Sequence, residues 1–453
     1  LAETEGIHLK IEEIDLEDKE TLALFASGNT KGIFQFEQPG AIRLLKSVQP
    51  VCFEDVVATT SLNRPGASDY INNFVARKHG QEEVTVLDPV LEDILAPTYG
   101  IMLYQEQVMQ VAQRFAGFSL GKADILRRAM GKKDASAMHE MRASFIQGSL
   151  DAGHTAEKAE QVFDVMEKFA GYGFNRSHAY AYSALAFQLA YFKTHYPAIF
   201  YQVMLNSANS DYLIDALEAG FEVAPLSINT IPYHDKIANK SIYLGLKSIK
   251  GVSKDLALLI LENRPYSNIE DFIAKLPENY LKLPLLEPLV KVGLFDSFEK
   301  NRQKVFNNLV NLFEFVKELG SLFGDTIYSW QESEDWTEQE KFYMEQELLG
   351  IGVSKHPLQT IASKAIYQIT PIGNLSENSY AIILVEVQKI KVIRTKKGEN
   401  MAFLQVDDSK KKLDVTLFSD LYRQVGQEIK EGAFYYIKGK IQSRDGRLQM
   451  IAQ

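Results

Sequence analysis

Apolar residues recur every three to four positions through the first 210 residues or so, which predicts helices. LYQEQVMQVAQRFAGF (103–118) places Leu103, Val108 and Phe115 on one helical face. Thr155 provides an N-cap for the periodic segment TAEKAEQVFDVMEKF (155–169). SALAFQLAYFKTHYP (183–197) is apolar on nearly every face and ends at Pro197, which predicts a buried helix. We therefore expect a mainly α-helical domain over residues 1–210.

The pattern changes after residue 210. SIYLGLKSIKGVSKDLALLILENR (241–264) joins a short β-like run to a glycine turn and a helix, and a second such unit closes with LLEPLVKVGLFDSF (285–298). From residue 380, apolar and polar residues alternate in YAIILVEVQKIKVI, MAFLQVDD, KLDVTLFS and AFYYIKGKIQ, which predicts a small antiparallel β-barrel. The resulting prediction is a multidomain protein divided at 1–210, 211–310, 311–375 and 376–453.

Composition limits the class of protein. The 453 residues are 46% hydrophobic and 24% charged, as in soluble globular proteins of several domains. The sequence has no apolar run of about 20 residues and no signal-peptide pattern. Its single cysteine excludes a disulfide framework and a cysteine-rich zinc site. We expect a cytoplasmic location and no membrane partner. A net charge of −10 argues against nonspecific coating of nucleic acid but permits a local basic groove.

One such basic cluster lies in ADILRRAMGKKD (123–134). Four cations fall within seven residues: Arg127, Arg128, Lys132 and Lys133. A helix over 123–130 would end at Gly131 and would bury four apolar residues, Ile125, Leu126, Ala129 and Met130. Cations are favoured by about 0.3–1 kcal/mol at a helix C-terminus, so solvated surface charge is the alternative to a binding site.

Two further motifs carry basic residues. FAGYGFNRSHAYAY (169–182) places Asn175, Arg176 and His178 in a loop that opens a helix. SLNRPGA (61–67) places Arg64 on a turn. Several guanidinium groups and a helix N-terminus suit a triphosphate or a nucleic-acid backbone. For His178, a purely structural role is the alternative to a place in the binding pocket.

The order and spacing of six motifs resemble the fingers region of bacterial replicative DNA polymerase III alpha subunits of the DnaE type. They are GIFQFEQPG (32–40), NRPGA (63–67), RKHG (77–80), PTYGIMLYQEQVMQVAQ (97–113), LRRAMGKK (126–133) and KFAGYGFNRSH (168–178). The glycine-turn units and the barrel also resemble this family, so the likeness extends over essentially the whole chain. The related PolC type is disfavoured, because its OB-fold is expected near the N-terminus.

The resemblance implies a role for each basic motif of the fingers. Arg127 and Arg128 would meet the triphosphate of an incoming deoxynucleotide, and Lys132 and Lys133 would add positive potential. The other nucleotide-binding residues would be Arg64, Asn175, Arg176 and His178. Arg176 stands where the family motif often has lysine, which keeps the charge and changes the hydrogen-bonding geometry.

The first glycine-turn unit resembles a helix-hairpin-helix motif that binds duplex DNA. Its backbone N–H groups would hold a phosphate at the start of a helix, where Gly251 permits close approach. The expected DNA-binding residues are Lys250, Gly251, Val252, Ser253 and Lys254. A plain connection between helices is the alternative, and the second unit, which has few basic residues, is the weaker candidate.

ELGSLFGD (318–325) stands where the family carries its sliding-clamp motif, so Leu322 and Phe323 would fill an apolar pocket on the clamp. The usual leading glutamine is absent, and an aromatic contact with the preceding helix is the alternative. The final segment resembles an OB-fold, which would bind single-stranded template through basic loops and rings. Hairpin lysines that serve only solubility are the alternative. The basic residues expected there are Lys389, Lys391, Arg394, Lys396 and Lys397.

A polymerase also needs two metal ions held by clustered carboxylates, and no such set is recognisable here. Asp407 and Asp408 are adjacent, so on a strand they would point to opposite faces. We expect no catalytic or metal-ligating residue in this chain and no activity of the chain alone. The resemblance implies DNA replication by a DNA-directed DNA polymerase, a nucleotidyltransferase. Its cofactor would be Mg²⁺, its substrates dNTPs, and its partners primer–template DNA, the clamp and other replisome subunits. A non-catalytic DNA-binding and clamp-tethering module is the alternative.

Overall fold

The computed structural model describes residues 6–64, 67–132, 135–169, 173–206, 211–319, 328–363, 365–395, 398–409, 411–444 and 447–453. The chain divides into two compact units. The first unit comprises Leu1–Phe221 and Ile237–Lys240, and the second comprises Glu222–Lys236 and Ser241–Gln453.

The first unit is helical, as the apolar periodicity predicts. Its helices are α1 (Lys19–Ser27), α2 (Pro39–Val48), α3 (Phe53–Leu62), α4 (Ile71–Lys78), α5 (Glu92–Leu95), α6 (Gln105–Ala116), α7 (Leu120–Lys132), α8 (Ala135–Asp151), α9 (Ala156–Phe169), α10 (Arg176–His195), α11 (Pro197–Met204) and α12 (Asp211–Glu218). The N-cap prediction is confirmed at α9, where Thr155 Oγ1 accepts the Lys158 N–H at 3.3 Å. Pro197 begins α11 directly after α10 ends.

Three details of the helix predictions are wrong. The basic helix α7 continues through Gly131 to Lys132, so the glycine does not end it. Ile125 is 56% exposed, because the buried face centres on Ala123 and Leu126 and leaves Ile125 at its margin. Helix α10 is buried on one face only, since Leu185 is 47% exposed.

An aromatic core fixes the position of α7. Phe115 of α6, Phe145 of α8 and Phe163 of α9 are fully buried. The rings of Phe115 and Phe145 stack with centroids 5.9 Å apart, and those of Phe145 and Phe163 lie 5.4 Å apart. Each buried ring stabilises the fold by about 1.5–3 kcal/mol. Because α7 packs on α6 and α8, this core sets where its charged edge lies.

The second unit contains two parts, a helical part followed by a barrel. Two short strands precede the hairpin region in this unit, β1 (Glu222–Val223) and β3 (Ser241–Tyr243), and they pair in parallel. Strand β2 (Lys236–Ala238) comes between them in the chain, and its residues from Ile237 onwards belong to the first unit. The helices are α13 (Lys254–Glu262), α14 (Ile269–Ala274), α15 (Leu283–Lys291), α16 (Arg302–Leu319), α17 (Glu338–Leu349) and α18 (Pro357–Ala362).

A buried ion network joins these helices. The Arg302 guanidinium donates to Asp296, which follows α15, and to Glu345 Oε1 on α17 at 2.7 Å. Glu345 is fully buried and also accepts the backbone N–H groups of Val353 and Ser354. Gly293 lies against the network with φ +82°, and a Cβ there would lie 2.3 Å from Arg302 Nη2. Glycine is therefore required at this close approach.

The barrel is closed by five strands in the order β4-β5-β6-β8-β7. They are β4 (Tyr380–Arg394), β5 (Asn400–Asp407), β6 (Lys412–Leu417), β7 (Phe434–Arg444) and β8 (Arg447–Ala452), with α19 (Ser419–Val425) between β6 and β7. The four predicted strands are confirmed, and all pairs are antiparallel except β6 with β8. Ile383, Val385 and Val406 are among the fully buried residues that fill the interior.

Candidate nucleotide- and nucleic-acid-binding sites

The two arginines of α7 share one carboxylate. Asp124 accepts Arg127 Nε at 2.9 Å and pairs with Arg128 Nε at 2.8 Å. The hydrogen bond from Arg127 holds the pKa of Asp124 below its usual value. The Arg128 side chain is 68% exposed and that of Arg127 31%. Asp124 thus orients both guanidinium groups on one edge of the helix, and Arg128 is open to solvent.

The N-terminus of α10 is likewise occupied by carboxylates of the chain itself. Asn175 is the N-cap, and its Oδ1 accepts the His178 N–H at 2.8 Å. Glu106 of α6 accepts Asn175 Nδ2 and the Arg176 N–H, both at 2.8 Å. The Arg176 guanidinium donates to Glu54 of α3 at 2.5 Å. The Glu106 carboxylate therefore occupies the position at the N-terminus of α10 where a helix attracts an anion.

Gln105 connects the two motifs. Its Oε1 accepts Arg127 Nη1 at 3.2 Å, and its Nε2 donates to the Gly173 carbonyl at 3.1 Å. Its backbone N–H donates to the Phe174 carbonyl at 2.8 Å, next to a parallel bridge between Tyr104 and Phe174. Gln105 therefore links the arginine edge of α7 to the loop that opens α10. Arg127 and Arg176, which mark these two elements, are 49 residues apart in the chain.

Aromatic rings line the same region. The Arg64 guanidinium lies 4.0 Å from the centroid of the Phe174 ring. Phe174 meets His178 edge to face at 5.4 Å, and His178 lies 4.0 Å from Tyr182. The exposed His178 imidazole makes no hydrogen bond to any described residue. Phe174 thus contacts both Arg64 and His178, and the packing of His178 on Phe174 and Tyr182 is compatible with a structural role as well as with a binding role.

A cavity of about 800 Å³ opens beside Arg176, with Glu106, Gln110, Arg114 and Tyr180 among its walls. This volume is within the range of small-molecule sites. Gln107 also lines this cavity and is a buried structural residue. It accepts two backbone N–H groups and donates to the Ile94 carbonyl and to Thr98.

The expected helix-hairpin-helix turn is present in the second unit. Ile249 is buried, Gly251 has φ +89°, and Ser253 caps α13 by accepting the Leu256 N–H at 3.2 Å. Of the backbone N–H groups expected to hold a phosphate, those of Val252, Ser253 and Lys254, the Val252 N–H is engaged, because it donates to the Ile249 carbonyl. The Lys250 N–H donates to the Leu348 carbonyl. The exposed helix start at Ser253 and Lys254 remains open.

On the barrel, Lys389 and Lys391 of β4 are exposed. Lys391 lies directly opposite Phe403 of β5, so a cation and a ring share the outer surface. Arg394 is partly engaged, since its Nε donates to the Gly398 carbonyl at 2.9 Å. Lys396 and Lys397 lie outside the described residues.

Other predicted site residues also fall outside. Lys132 closes α7, although its side chain is not described, and Lys133, Leu322 and Phe323 lie outside the described residues. Asp407 and Asp408 organise a turn, accepting the Ser409 and Ile372 N–H groups at 2.7 Å. Among the residues that the structure describes, no group of three or more histidine, cysteine, aspartate or glutamate side chains is arranged to hold a metal ion. Nor does any described helix have the length and apolar character that crossing a bilayer requires.

Three carboxylates of the candidate site were missed from the sequence: Glu54, Glu106 and Asp124. Asp124 had a readable signal, because it lies three and four residues before the two arginines on one helix. Glu54 and Glu106 lie 122 and 70 residues from Arg176, and no sequence pattern links them to it.

Comparison with protein families agrees with these modules. The bacterial DNA polymerase III alpha subunit finger domain matches residues 1–153. A helix-hairpin-helix motif matches residues 220–305, and an OB-fold nucleic acid binding domain matches residues 382–453.

Curated relatives match over all or nearly all of the chain. The DNA polymerase III subunit alpha of Streptococcus pyogenes serotype M6 is 58% identical over 454 residues, which covers 100% of this chain and 44% of that protein. The Staphylococcus epidermidis protein of the same name is 38% identical over 463 residues, which covers 98% of this chain and 43% of that protein. The chain thus spans less than half the length of these relatives. The resemblance predicted from the motifs is confirmed, and the chain belongs to the bacterial DNA polymerase III alpha subunit family.

Proposed function

We propose that this chain is the part of a replicative DNA-directed DNA polymerase that binds the incoming dNTP and the primer–template DNA. In this proposal residues 1–210 are the fingers, 211–310 the helix-hairpin-helix region, 311–375 the clamp-binding connector and 376–453 the OB-fold.

The observation that supports nucleotide binding is the contact through Gln105. It joins Arg127 to the loop that opens α10, so two guanidinium-bearing elements face one region. Arg64 and His178 contribute a cation and a ring to the same region. Guanidinium groups bind phosphate oxygens through charge-assisted hydrogen bonds, while a ring suits a nucleobase. Lys132 and Lys133 would add to the positive potential.

The carboxylates at this site imply exchange of partners on binding. Asp124, Glu54 and Glu106 hold the arginines and the helix N-terminus in the free protein. A triphosphate carries more charge than any one of them, so it would displace them from the same donors. The arginines are thereby kept oriented before the substrate arrives, which lowers the cost of ordering them.

DNA would bind through the second unit. The open helix start at Ser253 and Lys254 suits a duplex phosphate, with Lys250, Gly251 and Val252 shaping the turn. Lys389, Lys391, Arg394, Lys396 and Lys397 would contact single-stranded template on the barrel.

The remaining elements of the proposal concern the longer protein. As the resemblance implies, Mg²⁺ would be held by other parts of the polymerase. Leu322 and Phe323 would bind the sliding clamp, and other replisome subunits would bind elsewhere. A cytoplasmic location follows from replication in bacteria.

Titration of this chain with a fluorescent deoxynucleoside triphosphate tests nucleotide binding. Arg127→Ala combined with Arg128→Ala should weaken binding about tenfold or more, because hydrogen bonds to charged groups contribute about 1.5–3 kcal/mol. Arg142→Ala is the matched control, since Arg142 also pairs with carboxylates but lies on α8 against α9. In a full-length relative, unchanged KM for dNTPs and unchanged kcat in the double variant would contradict the proposal.

Fluorescence anisotropy with labelled primer–template DNA tests the second part. Binding should fall steeply as salt rises, because phosphate contacts release counterions. Failure to bind at low salt would contradict the DNA-binding role of this chain.

A further inference from the structure

Three tyrosines and two lysines form an exposed face on β4 and β7 of the barrel, away from the β4–β5 hairpin. This tyrosine–lysine face comprises Tyr367, Tyr380, Tyr436, Lys438 and Lys440. Tyr380 is 61% exposed, Tyr367 52% and Tyr436 39%. Single exposed apolar residues scattered over a surface are normal, whereas several large rings exposed in one small region indicate a binding site.

The strand register explains why these side chains share a face. Tyr380 lies directly opposite Lys440, Ile382 opposite Lys438, and Leu384 opposite Tyr436. Side chains at every second position point to the same side of a sheet, and the alternate residues Ile383 and Val385 fill the barrel interior. Tyr436, Lys438 and Lys440 therefore all point outwards.

Tyr367 reaches this face from a neighbouring segment. Its ring meets that of Tyr436 at a centroid distance of 5.6 Å and an angle of 66°. The Thr370 N–H donates to the Ile382 carbonyl at 2.8 Å and holds the segment beside β4. The Tyr367–Tyr436 pair is thus fixed at one end of the face. Tyr380 lies about 13 Å away at the other end, because it is four residues along β4 from Leu384, the residue opposite Tyr436.

The charge of the face is positive and unneutralised. Neither Lys438 nor Lys440 forms an ion pair with a residue in the described part of the chain. The one acid on the outward side of this β4 segment, Glu386, is 8% exposed and accepts the Tyr343 hydroxyl at 2.7 Å. The neighbouring positions of β8 that pair with β7 here, Ile451 and Gln449, are uncharged.

We propose that the tyrosine–lysine face binds a single strand of nucleic acid, with the rings stacking on unpaired bases and the two lysines contacting phosphates. Rings stack on bases only where the bases are unpaired, which excludes an intact duplex as the ligand. The positive charge complements a phosphate backbone. The inference rests on the proposed function of the barrel, and it adds to Lys391 and Arg394 a second contact surface for the same strand, nearer the start of β4.

Anisotropy with a labelled single-stranded oligonucleotide, using the 453-residue chain, tests the proposal. Tyr380→Ala with Tyr436→Ala should weaken binding about tenfold or more per ring, and duplex binding should be unchanged. Tyr380→Phe with Tyr436→Phe should bind normally, because stacking needs the ring and not the hydroxyl. Tyr243→Ala is the matched control, since Tyr243 is also 39% exposed and lies outside the barrel.

The lysines give a second, independent readout. Lys438→Ala with Lys440→Ala should lower the slope of log K against log salt by about 1.4, at about 0.7 for each phosphate contact on a single strand. Photocrosslinking of the wild-type chain to an oligonucleotide that carries 5-bromouracil should attach at Tyr380 or Tyr436, and this readout does not depend on the folding of any variant.

The outcomes separate this proposal from the proposed function. If the tyrosine variants bind normally while Lys391→Ala with Arg394→Ala abolishes single-strand binding, the tyrosine–lysine face is not the site and the barrel still binds DNA. If the wild-type chain binds neither the oligonucleotide nor primer–template DNA, both proposals are overturned.

Discussion

Removing the guanidinium of Arg302 tests whether the buried ion network holds the helical part of the second unit together. The Arg302 side chain is 9% exposed, and that of Glu345 is 0% exposed. Arg302→Met keeps most of the aliphatic packing and takes away the donors to Asp296, Glu345 and the Lys291 carbonyl.

The magnitude follows from the burial of Glu345. Removing one partner of a buried ion pair typically costs about 3–5 kcal/mol, because the remaining charge stays buried without compensation. Three donors from residues 353 and 354 would still satisfy Glu345, but none of them carries a charge. With an m value of about 3 kcal/mol/M in urea, the unfolding midpoint should fall by about 1–1.7 M.

Tryptophan fluorescence reports this unit selectively. The chain has two tryptophans, Trp330 and Trp336, and both lie in the second unit. Trp336 contacts Phe306 on α16 with ring centroids 5.6 Å apart, which places a probe one turn from Arg302. A urea titration that follows tryptophan emission therefore measures unfolding around the network.

Lys317→Met is the matched control, because it removes one positive charge from the same helix. Lys317 is 47% exposed and pairs with Glu278, which is 77% exposed, so its loss should cost about 1 kcal/mol or less. Equal midpoints for the two variants would refute the reasoning, because the buried pair would then contribute no more than an exposed one.

Three further predictions concern the binding sites and the barrel. Glu106→Gln should raise the affinity for inorganic tripolyphosphate about fivefold in calorimetry, because it removes about 1 kcal/mol of repulsion next to the Arg176 N–H. Burial raises the pKa of the Glu386 carboxyl above its ordinary value of 4.5, so the folded state holds the proton more strongly than the unfolded state does. The stability of the fold should therefore fall as pH rises from about 4.5 through the raised pKa, and thermal unfolding of Glu386→Gln should not show this decline. Gly251→Asp should weaken duplex binding in anisotropy, because it adds a negative charge and a Cβ at φ +89°, 3.2 Å from Pro288.

Each of these predictions has a control. Glu140→Gln, an exposed change on α8, should leave tripolyphosphate binding unchanged, and an equal gain there would mean that net charge alone is responsible. Glu377→Gln, on the barrel surface, should keep the pH dependence of the wild type. Gly251→Ala carries the same backbone strain without the charge, so equal weakening by Ala and Asp would contradict the electrostatic argument.

Local sequence patterns were sufficient to predict the helices, the strands and the kinds of domain. Helix periodicity, the Thr155 cap and the Pro197 boundary depend on interactions within a few residues, and strand alternation depends on the pleat of one strand. The errors are of a different kind. Gly131 continues α7 although glycine often ends a helix, and Ile125 is exposed because the packing of α7 on its neighbours selects which apolar edge is buried.

The sequence by itself determined which residues are candidates for phosphate binding, since Arg127, Arg128 and Arg176 stand in motifs that are recognisable in one dimension. Only the tertiary structure decided what those residues contact. Gln105 joins α7 to the start of α10, and Glu106 occupies that helix N-terminus, because packing of α6 brings both beside segments some 70 residues away. Such non-local pairs leave no periodic trace, because the energy that selects them belongs to the assembled core and not to neighbouring residues along the chain.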